Sequence, residues 1–152
     1  MTGPVTLRPA AEGDLDLIEA AERAYMEDVE PAHLGDWTRA LDRNRALWRT
    51  LLPTTTVLEL AGRPAGFVTW RPDGDAALVT TVQVLPPARR RGLARRLLDA
   101  VDRDAAAAGF AEVRLGVHRD NPARGLYPAA GFEPAGEDGE YLLHRRAVGG
   151  AQ

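Results

Sequence analysis

The sequence predicts a mixed α/β (α+β) fold in which helices cover the faces of a β-sheet. The chain has 152 residues, a length that suits one compact core. Apolar residues recur at every second position in some segments and three or four positions apart in others. These segments follow one another in the order β-α-α-β-β-β-α-β-α-β-β. Because strands and helices do not alternate strictly, the order excludes a doubly wound parallel fold.

The N-terminal third predicts one strand and two helical regions. Alternating apolar and polar residues predict a strand over 5–8. Asp14 is a suitable N-cap for a helix that ends near Met26. A second helical region is predicted over 37–51, before Pro53. Its apolar residues follow helical spacing: Trp37, Leu41, Leu47, Trp48 and Leu51.

A meander of three strands is predicted next. The strands cover 55–60, 65–71 and 76–85. Residues 61–64, Ala-Gly-Arg-Pro, form the first turn. Residues 72–75 contain the pair Asp-Gly, which is a strong hairpin signal.

The longest helix is predicted to begin at Leu93 and to end before Gly109, a natural C-terminal stop. Its apolar residues recur at every fourth position and its charged residues lie between them, so the helix is amphipathic. The apolar stripe contains Leu93, Leu97, Val101 and Ala105.

The C-terminal region predicts a strand over 113–117, a short helix and two final strands. Asn121, followed by proline, is a typical helix start, and this helix ends before Gly131. The final strands are predicted over 132–134 and 141–145. We expect one domain over residues 1–152, with loose tails over about 1–4 and 147–152.

The composition excludes several classes of protein. No cysteine is present, which excludes disulfides, thiolate metal sites and a cysteine nucleophile. No apolar run approaches the ~20 residues that span a bilayer, and the first ten residues do not resemble a secretory signal. The net charge is −3, which argues against nucleic-acid binding. We therefore expect a cytoplasmic protein without metal, membrane or nucleic acid.

A candidate anion site lies where the strand ending near Val84 turns into the helix beginning at Leu93. The first N–H groups of a helix lack partners and carry the positive end of its dipole. Gly92 and Ala94 are small and leave room for a phosphate, and arginines flank them. Hydrogen bonds of ~1.5–3 kcal/mol each could together hold a pyrophosphate.

The alternatives for this turn are two other nucleotide-binding motifs and a plain basic cluster. A P-loop requires lysine, and the chain has none. The dinucleotide fingerprint Gly-x-Gly-x-x-Gly is also missing. The three arginines at 89–91 taken alone would indicate a solvated basic cluster or a nucleic-acid patch.

Two segments resemble the GNAT family of N-acetyltransferases. Residues 86–94, PPARRRGLA, resemble the family's acetyl-CoA motif Arg/Gln-x-x-Gly-x-Gly/Ala, preceded by Val-x-Pro. Residues 121–132, NPARGLYPAAGF, resemble its Asn…Ala…Leu-Tyr-x-x-x-Gly-Phe segment. Ala94 replaces the commoner second glycine. Asn121 lies one residue closer to Tyr127 than in many members, and Asp120 would fit the longer register.

The resemblance implies a fold, an activity and a co-substrate. The fold would be a mixed, mostly antiparallel sheet with about four helices. The activity would be transfer of an acetyl group from acetyl-CoA to a primary amine of a small molecule or peptide. A non-catalytic acyl-CoA-binding or sensor domain is the alternative. The sequence leaves open whether the protein forms a homodimer.

The resemblance also implies roles for individual residues. The edge of the strand at Val82, Gln83 and Val84 would pair with the pantetheine arm. Asn121 would lie near the pantetheine or the thiol end, and Tyr127 would lie near the acetyl sulfur as the candidate general acid. The pyrophosphate would be bound by Arg89, Arg90, Arg91, Gly92, Leu93, Ala94 and Arg95. Asn121 could instead be only a helix cap, and Tyr127 only a core aromatic residue.

The resemblance places acceptor specificity in the N-terminal helices. Tyr25, Asp28 and Trp37 belong to an acidic and aromatic cluster that also contains Glu27, Glu30, His33 and Asp36. Acidic and aromatic side chains can bind a cationic amine through charge and cation–π contact. The alternative is a solvated acidic loop in which Trp37 packs inward.

Direct transfer is predicted, because the best nucleophile for a covalent route is absent. An alkylamine is almost fully protonated at neutral pH, so a group must remove its proton. The sequence leaves the base open between Glu59, Glu112, His118 and a chain of water molecules.

Overall fold

The computed structural model describes residues 3–149. Seven strands form one sheet in the order β1-β2-β3-β4-β5-β7-β6. They are β1 Val5–Pro9, β2 Thr55–Leu60, β3 Arg63–Asp73, β4 Ala76–Val84, β5 Glu112–His118, β6 Glu133–Asp138 and β7 Tyr141–Ala147. Only β4 and β5 pair in parallel; the other neighbours are antiparallel. The predicted mixed, mostly antiparallel sheet is therefore confirmed.

Five α-helices accompany the sheet, where about four were predicted. They are α1 Leu15–Asp28, α2 Leu34–Arg39, α3 Leu41–Thr50, α4 Leu93–Ala107 and α5 Leu126–Ala129. The difference arises at Ala40, whose backbone leaves the helical region and divides the predicted helix 37–51 into α2 and α3. No helix within residues 3–149 is long and apolar enough to cross a bilayer.

The C-terminal strands are longer than predicted. Every residue of β6 is exposed, so this edge strand lacks the alternating pattern that identifies a half-buried strand. Ala147, predicted to belong to a loose tail, is the last residue of β7 and pairs with Glu112. Val148 donates to the carbonyl of Ala111 at 3.0 Å. Pro4 of the predicted N-terminal tail accepts a hydrogen bond from the Ala61 backbone at 2.9 Å. Residues 1–2 and 150–152 of the predicted tails lie outside the described residues.

The sheet carries a hydrophobic core on each face, because successive strand residues point to opposite sides. Leu97, Leu98 and Val101 of α4 pack in one core with Val68 and Val113. The opposite core contains Ile18 of α1 with Val57 and Phe67. The neighbours Phe67 and Val68 thus serve different cores, which fixes the sheet between α4 and α1.

The sheet opens between the C-terminal halves of β4 and β5. The two strands pair only from Ala76 to Val79 on β4. Thr69 of β3 faces Thr81 and Trp70 faces Val79, so Thr80 is an extra, bulged residue in β4. A bulge bends its strand and increases its twist. The residues of β4 after Thr80 therefore leave β5, and a cleft forms between the two strands.

Candidate active site

The cleft has a volume of about 1480 Å³. Its walls come from distant parts of the chain: the end of β4 and the turn after it, the end of β5, α5, the turn between β6 and β7, and helices α1 and α2. The two motif segments of the sequence analysis therefore meet across one cavity.

The first wall is the open edge of β4. Val82, Gln83 and Val84 pair with β3 on one side and, within residues 3–149, with no strand on the other. On β3, a Cβ on Gly66 would lie 2.6 Å from the Gln83 carbonyl oxygen. A side chain at Gly66 would therefore push β3 away from this segment. The open edge supplies backbone donors and acceptors that an amide-containing ligand can use.

The second wall is the turn between β4 and α4. Arg90 has φ +65° and Gly92 has φ +73°, a left-handed backbone that glycine adopts most easily. Within residues 3–149, the backbone N–H groups of residues 90–95 have no hydrogen-bond acceptor. Consecutive free N–H groups at a helix start form an anion-binding concavity. The anion site that the sequence predicts thus has its donors available.

The arginines of this turn divide into two groups. Arg90 lines the cleft and forms no ion pair with any described residue. Arg89 also lines the cleft, and its Nε donates to the Val84 carbonyl at 2.9 Å. The guanidinium of Arg95 donates to the Ala129 carbonyl at 3.1 Å. Arg91 and Arg95 are not part of the cleft wall, so Arg89 and Arg90 are the arginines of residues 89–95 that line it.

Tyr127 is both a core residue and part of the cleft. Its ring lies 6.2 Å from the Phe132 ring, edge to face, and 5.9 Å from the His144 ring. It is only 5 % exposed and lines the cleft. Burial raises the pKa of Tyr127 to about 12. Its hydroxyl has no hydrogen-bond partner among the described residues and is a proton donor at neutral pH.

Two arginines fix the short helix that carries Tyr127. Arg95 binds the Ala129 carbonyl, and the buried Arg146 donates to the Ala130 carbonyl at 2.7 Å. The segment before α5 is a 3-10 turn, and α5 itself spans four residues. Proline at Pro128 and glycine at Gly125 account for this short helix.

Asn121 lines the cleft and also caps a turn. Its side-chain oxygen accepts a hydrogen bond from the Ala123 backbone at 2.9 Å. The capping role that the sequence predicts is therefore present. The same side chain keeps its amide nitrogen free within the described part of the chain.

The predicted acceptor residues Tyr25, Asp28 and Trp37 all line the cleft. Tyr25 donates to Glu30 at 2.6 Å. Trp37 has the guanidinium of Arg23 at 5.1 Å from its ring centre and Trp48 at 6.3 Å. Trp37 therefore already has a cation and an aromatic neighbour from the protein itself. Glu27 does not line the cleft.

Tyr141 and Glu22, which the sequence analysis did not single out, contribute to this end of the cleft. Glu30 is 6 % exposed and accepts from the hydroxyls of Tyr25 and Tyr141, each at 2.6 Å. Burial, followed by the bond to Glu30, raises the pKa of both phenols. Tyr141 lies 111 residues from Glu30, so no local pattern could have paired them.

Glu22 had a signal in the sequence. It follows Leu15 and Ile18 on α1 at the spacing of one helix face, and both of those residues are 1 % exposed. A carboxylate on a buried stripe requires partners. Thr81 and Gln83 of β4 supply them at 2.7 and 2.5 Å. Burial raises the pKa of Glu22.

Of the candidates for the base that the sequence leaves open, Glu59 and Glu112 do not line the cleft. Glu59 is on β2, away from the opening, and binds Arg8 at 3.0 Å. Glu112 pairs with Ala76, where β4 and β5 are still joined. Strand β3 separates Glu59 from β4, and Glu112 lies at the end of β5 where β4 and β5 are still paired.

His118 lies at the correct end of β5 but is 3 % exposed. Its Nδ1 accepts from the Asp120 backbone at 3.1 Å, and its Nε2 lies 3.4 Å from Glu140. Glu140 also contacts His33 at 2.8 Å. The bond to His33 is the main reason that the pKa of Glu140 is lowered. His118 thus supports Glu140 and is not part of the cleft wall.

Solved structures with the same fold include N-acetyltransferases and complexes with coenzyme A or acetyl-CoA. The chain is similar to the PaiA N-acetyltransferase of Thermoplasma acidophilum in complex with coenzyme A (TM-score 0.80, 17% identity, 95% of this chain and 99% of that one). It is similar to YncA of Salmonella typhimurium with acetyl-CoA (0.72, 17%, 95% and 94%). It is also similar to the ribosomal-protein-S18-alanine N-acetyltransferase of Escherichia coli (0.65, 19%, 95% and 94%). At these identities the likeness establishes the fold.

The sequence itself matches a family model. A search among curated proteins found no match. The model of the acetyltransferase (GNAT) family matches residues 18–132, which is more than half of the chain and contains both motif segments. The chain therefore belongs to the GNAT acetyltransferase family.

Proposed function

We propose that this protein is an N-acetyltransferase that moves an acetyl group from acetyl-CoA to a primary amine of a small molecule or peptide. Membership of the GNAT family makes acyl transfer from an acyl-CoA the reaction class. One observation carries the finer proposal. The free amides of residues 90–95 follow the open β4 edge, and this turn lines the same cleft as Tyr127 through Arg90 and residues 92–94.

We call the open β4 edge and the turn at residues 90–95 the donor end of the cleft. This end fits the chemistry of acetyl-CoA. A pyrophosphate needs several N–H donors and positive charge, which the backbone of 90–95 and the Arg90 side chain can supply. The pantetheine arm contains two amides, which the open edge at Val82, Gln83 and Val84 can pair. Asn121 lies across the cleft and can bind the same arm through its free amide nitrogen.

Tyr127 is suited to hold the sulfur of the thioester. Its pKa of about 12 exceeds the ~8.5 of an ordinary thiol by several units, and each unit is 1.36 kcal/mol. Full proton transfer to a thiolate is therefore uphill. A hydrogen bond from the Tyr127 hydroxyl to the developing thiolate is favourable and is the role that we assign. The chain contains no cysteine, and we propose direct transfer without an acyl-enzyme.

We call the part of the cleft formed by α1, α2 and the turn between β6 and β7 the acceptor end. Its charges favour a cation. The carboxylates that line the cleft are Glu22, Asp28, Glu30, Asp36, Asp138 and Glu140. Carboxylates in a partly dry cleft attract a cation more strongly than they do in water. An alkylammonium acceptor meets this requirement, and an anionic acceptor does not.

The proposal is tested by mixing the protein with acetyl-CoA and a panel of amines, amino acids and peptides, and by measuring the release of free thiol. We expect turnover with at least one cationic amine and slower turnover with longer acyl-CoA donors. Binding of coenzyme A by calorimetry without turnover of any acceptor would indicate the sensor domain instead. An absence of coenzyme A binding would overturn the proposal as a whole.

A further inference from the structure

Glu22 is held at the opening of the sheet by two bonds to a single oxygen. The Thr81 hydroxyl and the Gln83 side-chain amide both donate to its Oε1. Within residues 3–149, nothing binds its Oε2. Thr81 and Gln83 directly follow the bulge at Thr80. The unbound oxygen therefore belongs to a carboxylate anchored where β4 leaves β5.

The other carboxylates of the cleft are unsuited to take a proton from a substrate. Glu30 has both oxygens bound by phenols, and Glu140 has both oxygens near histidines. Asp36 is bound to Arg39. Asp28 and Asp138 are exposed, and no described side chain holds either of them in place. A general base must be positioned within hydrogen-bond reach of the proton. Within the described residues Asp36 also keeps one oxygen unbound, but its side chain is 81 % exposed. Among the carboxylates that line the cleft, Glu22 is the partly buried one that combines an anchor with an open oxygen.

Glu22 and Tyr127 reach the opening from opposite faces of the sheet. Val82 and Val84 pack in the core of α4, which also contains Tyr127. Thr81 and Gln83 alternate with them and bind Glu22 of α1. A substrate in the opening would therefore meet a carboxylate on one side and a phenol on the other. This arrangement separates the group that takes a proton from the group that stabilises the leaving sulfur.

We propose that Glu22 is the general base of this reaction, which rests on the proposed function above. Its Oε2 takes one proton from the ammonium group of the acceptor and passes it to water. The amine nitrogen then bonds to the thioester carbon, and the C–S bond breaks with its electron pair on sulfur. The sulfur then takes the second proton that the amine nitrogen loses. During this step the Tyr127 hydroxyl donates a hydrogen bond to the sulfur. The balance is one ammonium and one thioester giving one amide, one thiol and one proton.

The surroundings of Glu22 favour this role. Burial raises its pKa, and the bonds from Thr81 and Gln83 partly oppose that rise. The charge of Glu30 raises the pKa of Glu22 further by repulsion. The phenol near these two carboxylates is Tyr25, which donates to Glu30. A carboxylate whose pKa lies above its usual range is a stronger base. Because its pKa is raised, Glu22 becomes protonated at a higher pH than a free glutamate does when the pH falls. Below that pH it no longer accepts a proton.

Charged groups of α1 and α3 are directed elsewhere. Arg45 of α3 binds Glu19 and Asp16. Arg23 lies over Trp37 and 3.6 Å from Glu19. Neither arginine binds Glu22, and no residue of the described part of the chain forms an ion pair with it, so its charge is left to a cationic substrate.

The first test is the variant Glu22→Gln with an accepted amine. We expect kcat at neutral pH to fall by about 100- to 10,000-fold, the usual contribution of a general base. The variant's rate should rise in proportion to hydroxide through the range in which the wild-type rate is level. The affinity for coenzyme A should not change. Glu19→Gln is the matched control, because Glu19 is on the same helix and does not line the cleft.

The second test is Thr81→Val, which remains informative if Glu22→Gln does not fold. The Thr81 hydroxyl lowers the pKa of Glu22, so removing it should move the acidic limb of the kcat profile to higher pH. A folded Thr81→Val with an unmoved limb would overturn the inference. So would a folded Glu22→Gln whose kcat stays within about threefold of wild type with the same profile. A wild type that acetylates nothing overturns the proposed function and this inference together.

Discussion

The two ends of the cleft are built by different means. The donor end is made of six consecutive backbone amides, at residues 90–95, that belong to one turn. The acceptor end is made of side chains from α1, the segment that follows it, β4 and β7, among them Glu22, Glu30 and Tyr141. Backbone donors depend on local conformation and on small residues. Side-chain sites depend on which segments the fold brings together. The first kind can be recognised in a sequence, whereas the second requires the folded chain.

Of the variants outside the Glu22 site, the largest expected effect is at the donor end. Gly92 has φ +73°, so the change Gly92→Glu strains the turn and adds negative charge beside the free amides. Losing two hydrogen bonds to phosphate, at ~1.5 kcal/mol each, should weaken coenzyme A binding about 100-fold or more. Calorimetry measures this affinity.

A matched control for that variant is Gly13→Glu. Gly13 lies before α1, does not line the cleft, and a Cβ there meets no atom within 4 Å. Its affinity for coenzyme A should equal that of the wild type. An unchanged affinity for Gly92→Glu would show that the donor binds elsewhere, and the division of the cleft into two ends would be wrong.

The next effect concerns the residue between the two ends. Tyr127→Phe keeps the ring packed against Phe132 and removes only the hydroxyl. A hydrogen bond to a charged group contributes ~1.5–3 kcal/mol, so kcat should fall about 10- to 100-fold. The dissociation constant for coenzyme A should not change. An unchanged kcat in stopped-flow assays would remove Tyr127 from the reaction and leave it as a core residue.

A smaller effect is expected from the network of the acceptor end. Glu30→Gln leaves two phenols with one carbonyl oxygen to share, and an imperfectly paired buried group costs ~1–3 kcal/mol. The Tm in thermal unfolding should fall by about 2–4 °C for each kcal/mol. KM for the amine should rise while coenzyme A affinity stays level. Glu27 is exposed near the end of α1, three residues before Glu30, and Glu27→Gln should leave the Tm unchanged. An equal drop in both variants would contradict a role for the network.

The smallest effect is expected from the exposed Arg90. Its side chain adds charge to a site whose main donors are backbone groups, so Arg90→Ala should cost only ~1 kcal/mol, or about fivefold in affinity. The loss should shrink as salt rises, because exposed charges are screened. Arg96→Ala, outside the cleft wall, is the control. A loss from Arg90→Ala as large as that from Gly92→Glu would mean that side chains, not amides, bind the pyrophosphate.

Elements whose formation depends on residues close in the sequence agree with their prediction. The order of strands and helices follows from periodicity, and α4 begins at Leu93 and ends before Gly109 as predicted. Elements with a weak pattern of apolar residues differ more from their prediction. Edge strand β6 is entirely exposed and has no apolar alternation, and the break at Ala40 carries neither glycine nor proline. Both features are set by neighbouring elements and not by the residues themselves.

Sequence alone determined the donor end of the cleft, the family resemblance and the candidate Tyr127, because a strand, a small-residue turn and a helix start occur within a few consecutive residues. Only the tertiary structure decided the acceptor end. It placed Glu22 of α1 on Thr81 and Gln83, and it removed Glu59 and Glu112 from the candidate bases. The physical reason is that the bulge at Thr80 opens the sheet at one point. Which distant carboxylate reaches that point depends on the packing of α1 against β4, which no local pattern in the chain specifies.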